Sequence, residues 1–327
     1  MDWTSLLLLT LVIVLIVAAN LGERSSRVWC ITAYVGTVLL GLGVALLGLT
    51  YLLAGAIMRA APQVMPEGTR AVLVETGGPL VGLWLIVGGL VSWLVLLPAV
   101  RRALARALPI RPESPVNALA LSLLALLWAQ SLSLSGLGPQ IVVSLSGQLT
   151  VAQVLASEVP LAVMGIAGVG YLIRRSSPMT WQRLGVGSLT ARQGLVALVV
   201  LLGLLVYQFL VSAAARAIAP QAFEELDRAS SQLYAGLGAP LAAVIVSLAS
   251  GTAEELLFRG ALQPRFGLVL TALTFAVVHA QYGLVFALVS IGVVGLVLGI
   301  VRQRINTTAT ILVHVLYNLT LFLLSRL

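Results

Sequence analysis

Residues 194–215 read GLVALVVLLGLLVYQFLVSAAA, twenty-two positions without a charge, closed off by Arg192 and Arg216. A helix rises about 1.5 Å per residue, so about 20 apolar residues cross the hydrocarbon of a bilayer. Similar runs lie on both sides, at 3–20, 29–57, 77–100, 115–133, 151–173, 238–264, 267–282, 284–301 and 307–325. The chain is 60% hydrophobic and only 9% charged over 327 residues, with a mean hydropathy of +1.07. A water-soluble fold of this length must keep its outside wet and cannot hide so much apolar surface. The expected fold is all-α, a polytopic transmembrane bundle of about ten spans.

The connections refine this picture. The run at 29–57 is long enough to tilt or to carry an interfacial end. Only Gln281-Tyr282-Gly283 separates the eighth and ninth runs, so a tight hairpin is expected there. Residues 217–237 are acidic and amphipathic and read as an interfacial helix leading into the seventh span. Met1-Asp2-Trp3 offers no basic region ahead of the first run, and Arg24 and Arg27 follow it, which indicates an uncleaved first helix. Ser135-Gly136 and Ser146-Gly147 read as loop residues. Glycines in the second, third and ninth spans mark close helix packing.

The net charge is +8, and all 19 basic residues are arginine. A lysine base or Schiff base is therefore excluded. Thirteen arginines fall in one set of alternate loops and five in the other, with Arg259 inside a span. This asymmetry points to membrane orientation rather than nucleic acid: both termini outside, Arg-rich loops in the cytoplasm. The lone cysteine, Cys30, rules out an intramolecular disulfide or a cysteine metal cluster.

Ionisable residues inside a bilayer are costly and mark function or pairing. Here they concentrate in the last third: Glu254, Glu255 and Arg259 in GTAEELLFRGAL, His279 in LTFAVVHAQYG, and His314 with Asn318 in ILVHVLYNL. Glu255 and Arg259 are four apart and can pair on one helix face. Glu254 is rotated about 100° away and stays available for chemistry. His314 and Asn318 also share a face, where two donors could hold one oxyanion. From the cytoplasmic helix ends, Glu254 lies about 15 Å deep, His279 about 18 Å and His314 about 11 Å, so the three converge near mid-membrane. Glu158, alone in the fifth span, reads as a hydrogen-bonded acid near the interface.

The order EExxxR, FxxxH, HxxxN, carried by Glu254, Glu255 and Arg259, by Phe275 and His279, and by His314 and Asn318, resembles the CAAX protease and bacteriocin-processing (CPBP or Abi) family of intramembrane endopeptidases. The resemblance covers roughly residues 217–325 and sets a protease core at 217–327 apart from N-terminal helices at 1–216, to which the sequence assigns no role. It implies Glu254 as general base on a water, His279 as its helper, and His314 with Asn318 as the oxyanion site. Glu255, Arg259 and Phe275 would support them. A metal-free mechanism is expected; were zinc present, Glu254, His279 and His314 would be its ligands, although HExxH is absent. Asp2 and Asp227 lie outside the spans and no GxSG occurs, so aspartyl and rhomboid-type serine chemistry are excluded. The implied substrate is a membrane-associated protein or peptide at the cell membrane. Abundant Ala, Gly, Leu and Val without lysine point to a bacterium, where prenylated CAAX substrates are not expected. The alternatives are an ion- or proton-coupled transporter, against which the one-sided cluster argues, and a non-catalytic scaffold or immunity protein, against which the intact motif argues.

Overall fold

The computed structural model describes residues 3–24, 26–64, 67, 78–135, 148–237, 239–280 and 283–325, and these form helices and no strand. In chain order they are α1 (Trp3–Glu23), α2 (Arg27–Ala60), α3 (Gly78–Leu94), α4 (Pro98–Leu104), α5 (Pro115–Ser135), α6 (Val151–Gly168), α7 (Ser177–Leu184), α8 (Ala191–Ile218) and α9 (Pro220–Tyr234). Then come α10 (Pro240–Glu255) with a π-helical continuation at Leu256–Leu262, α11 (Gln263–Val277), α12 (Gly292–Arg304) and α13 (Thr307–Leu324). The chain is a multi-pass, all-α membrane protein; among the described residues seven helical stretches are long and apolar enough to cross, or eight if one bent pair counts as a span. The estimate of about ten is approximate for identifiable reasons. The stretch Pro240–Val277 satisfies the span criterion as a single unit of 38 residues, yet Gly267 (φ 75°, ψ 173°) breaks it. The run at 284–301 is divided into Leu284–Phe286, a π turn at Ala287–Ile291, and α12.

The run at 77–100 is bent: α3 and α4 meet at 91°. Pro98 at the first turn of α4 cannot continue a hydrogen-bond ladder. The buried Arg101 guanidinium compensates, donating to the carbonyls of Val95 and Leu96 freed at the corner. An arginine expected to mark a loop thus ties a break in the helix. The amphipathic stretch after α8 is the helix α9, with the Arg216 guanidinium 4.9 Å above the Phe223 ring.

Glycines decide which helices touch closely. A Cβ on Gly48 would sit 2.6 Å from the Gly82 carbonyl oxygen, and one on Gly82 would meet the Gly48 carbonyl at 2.5 Å, so the α2 and α3 backbones lie in direct contact. In the C-terminal part, a Cβ on Gly251 would lie 2.9 Å from the Val315 backbone nitrogen, which fixes α10 against α13. In the ninth apolar run, a Cβ on Gly295 would come within 3.2 Å of Phe275. Gln281 and Tyr282 of the expected hairpin lie outside the described residues, as do Gly136, Ser146 and Gly147. Ser135, expected in a loop, closes α5.

Candidate active site

The site is built where α10, α11 and α13 converge. α10 stays α-helical as far as Glu255 and then widens into the π turns of Leu256–Leu262, a local change often found at functional positions. Arg259 comes from that π segment. Its Nη1 lies 3.0 Å from Glu255 Oε1 with both side chains wholly buried, and its Nη2 donates to the Gly295 carbonyl at 3.3 Å. The His314 Nδ1 nitrogen is 2.9 Å from the same Glu255 oxygen. Glu255 therefore joins α10, the π segment and α13, and the close approach at Gly251 is what allows His314 to reach it.

Glu254 points elsewhere. Its Oε2 lies 3.9 Å from His279 Nε2, too long for a direct hydrogen bond. The other ring nitrogen of His279, Nδ1, is 2.7 Å from the Phe275 carbonyl oxygen, so it is the protonated one and donates there. A neutral ring then carries its lone pair on Nε2, toward Glu254. His279 is not inside a helix as its sequence context implies. α11 ends at Val277, and His279 sits in the closing turn, its N–H donating to the Ala276 carbonyl at 3.0 Å. After the break at Gly267, only ten residues of α11 remain, about 15 Å of helix, so the helix stops at the depth of the glutamates instead of crossing.

Phe275 is the hub of the cluster. Its ring is 5.2 Å from Phe258, 4.9 Å from His279 and 5.8 Å from His314, with the Arg259 guanidinium 4.2 Å above it. Packing is what this residue does, and it fixes both imidazoles at once. Asn318 lies one turn beyond His314, and its amide donates to Ser250 Oγ at 3.2 Å, holding it against α10 one turn before Glu254.

Two features escape the sequence reading. One carboxylate oxygen of Glu158 on α6 is buried without a hydrogen-bond partner, and the charge of Glu254 acts on this acid. Its signal in the sequence is that it is the one charge in the run 151–173. The second is a polar knot on α8. Gln208 Oε1 accepts from Ser290 at 2.8 Å and from Tyr317 at 3.0 Å, which ties α8 to the π turn at Ala287–Ile291 and to α13.

Glu255 is committed to Arg259 and His314, and among the described residues no three His, Cys, Asp or Glu side chains gather closely enough to hold an ion. Glu254, His279 and His314 do not form a three-ligand set in this arrangement.

Comparison with known proteins bears on the last third of the chain. Residues 236–320, about a quarter of the chain, match the family described as Type II CAAX prenyl endopeptidase Rce1-like. No curated protein and no solved structure gives a match. The matched segment contains Glu254, Glu255, Arg259, Phe275, His279, His314 and Asn318, and ends within α13. Residues 236–320 of this membrane protein are thus similar to the Rce1-like family of type II CAAX prenyl endopeptidases.

Proposed function

We propose that this protein is an intramembrane endopeptidase that hydrolyses peptide bonds of membrane-associated proteins or peptides through a water activated by Glu254. The observation that carries the reading is the unequal treatment of two adjacent carboxylates. Glu255 is held by the Arg259 guanidinium and by His314, whereas Glu254 Oε2 lies 3.9 Å from an imidazole nitrogen, beyond direct hydrogen-bond range.

In this mechanism Glu254 takes a proton from the water while His279 Nε2 orients it, and the water oxygen bonds to the scissile carbonyl carbon. The negative charge that develops on the carbonyl oxygen is met by His314 and the second amide hydrogen of Asn318. With His314 Nδ1–H held by Glu255, its Nε2 is the nitrogen left for the substrate, and donation from it requires the ring protonated at both nitrogens. Collapse breaks the C–N bond, and the proton on Glu254 passes to the leaving amine. No step needs a metal. The Arg-rich loops would face the cytoplasm, with both termini outside, in the cell membrane of a bacterium.

The test uses purified protein in detergent, a quenched-fluorescent peptide library, the wild type and Glu254→Ala, each with and without a chelator. Cleavage is expected from the wild type, with a loss of about 10² to 10⁴ in Glu254→Ala and no effect of the chelator. His279→Ala and His314→Ala are also expected to be inactive while inserting normally, and Asn318→Ala to lose about 10² to 10³. Full activity in Glu254→Ala would end this assignment; loss with chelator and recovery with zinc would replace it by a metalloenzyme.

A further inference from the structure

A second concentration of charge lies apart from the glutamates. A cavity of about 150 Å³ opens between α1, α5 and α6 on one side and the π segment and the start of α11 on the other. Arg111, Arg174, Arg175, Arg183 and Arg265 line it, and no carboxylate does. They come from loops and helix ends far apart in the sequence, all in the Arg-rich set of connections. One acid offsets them: Glu23 pairs with Arg111 and lies 3.8 Å from Arg174. Five guanidinium groups thus gather at the rim, with Glu23 shared between two of them. Arg183 is pushed down to about 10, first by burial and then by the charges of Arg265, Arg175, Arg302 and Arg174. Burial, then Arg265 and Arg111, lower Arg175 in the same way.

Below the rim the cavity is apolar. Leu119, Leu123 and Leu127 of α5, Met164 of α6 and Leu257 of the π segment form its wall. Leu127 is 12 residues into α5 from Pro115, about 18 Å along the helix axis, and is 37% exposed. None of Glu254, His279, His314 or Asn318 lines this space.

We propose that this cavity binds an anionic phospholipid, with the phosphate on the arginine rim and one acyl chain running along α5 toward Leu127. Guanidinium groups suit phosphate oxygens because they present planar, charge-assisted donors. The rim lies at the helix ends, the level of lipid headgroups, where anionic lipids are drawn to basic clusters. A chain seated against Leu123 and Leu127 replaces exposed wall by apolar contact. The lipid would touch the N-terminal helices and the Rce1-like domain together. Arg183 already ties the rim to the latter, donating to the carbonyls of Gly260 at 2.7 Å and Ala261 at 3.3 Å. The proposal does not depend on the catalytic reading.

Thermal unfolding of the full chain in a neutral detergent tests it, with phosphatidylglycerol, phosphatidylcholine, dihexanoyl phosphatidylglycerol or inorganic phosphate added to the wild type, Arg265→Gln and Leu127→Trp. Long-chain phosphatidylglycerol should raise Tm in a saturable way, whereas phosphatidylcholine and inorganic phosphate should not. Arg265→Gln should require about tenfold more phosphatidylglycerol for the same shift, with its lipid-free Tm close to wild type. Leu127→Trp should weaken the long-chain lipid and leave the response to the dihexanoyl form unchanged. Equal protection by inorganic phosphate would overturn the proposal in favour of a free-anion site. Equal protection by phosphatidylcholine, no protection by phosphatidylglycerol, or an unchanged response in Arg265→Gln would each overturn it as well.

Discussion

The seam between α2 and α3 and the seam between α10 and α13 use the same device for different ends. In both, a glycine lets two helix backbones come within contact distance: Gly48 on the Gly82 carbonyl, Gly251 on the Val315 nitrogen. Between α2 and α3 the close approach brings together backbone and small side chains, and the gain is van der Waals packing, the main attraction between helices in lipid. Between α10 and α13 it carries an imidazole to a buried carboxylate, His314 to Glu255 at 2.9 Å. The first seam holds helices together, and the second also sets His314 against Glu255. Close packing is thus a prerequisite for this buried network, because ion pairs away from water persist only where geometry is fixed and partners are complete.

The contrast can be broken most forcefully at the network itself. Glu255→Ala or Arg259→Ala leaves one charge uncompensated where both side chains have no exposure, and the loss of stability should be about 3–5 kcal/mol. Denaturant titration in detergent measures this, with Glu254→Ala alongside; Glu254→Ala should unfold like wild type. Equal destabilisation by Glu254→Ala would mean that the two carboxylates share the structural role.

A matched pair of substitutions sharpens the comparison. Gly48→Val and Gly251→Val each force two backbones apart and should cost about 1–3 kcal/mol from overpacking. Peptide cleavage per folded molecule separates them: it should be unchanged in Gly48→Val and fall well below the stability loss in Gly251→Val, as His314 is drawn from Glu255. Parallel losses in both would mean that the α10–α13 seam does nothing beyond packing.

The smallest expected effect concerns a helix start. Thr190 caps α8 in a reciprocal arrangement with Gln193, and Thr150 does the same for α6 with Gln153. Thr190→Ala should cost about 1 kcal/mol, visible as a small shift in the unfolding midpoint with cleavage unaffected.

Composition and run length were enough to determine the class of fold, because about 20 uncharged residues in succession have few stable homes other than a bilayer. The four-residue spacing of Glu255 and Arg259 was enough to expect their pairing, since neighbours at that distance stack on one helical face. Local spacing could not reveal what depends on several helices at once. That α11 ends at Val277 and leaves His279 on a turn is not marked in the sequence, where LVLTALTFAVV at 268–278 runs on past the helix end. The assignment of His314 to Glu255, the action of the Glu254 charge on Glu158, and the gathering of five arginines around one cavity join residues from separate spans. Periodicity says which face a side chain occupies on its own helix. Which other helix that face meets, and at what depth, is decided by packing among all of them, and here glycine contacts and buried charge made that choice.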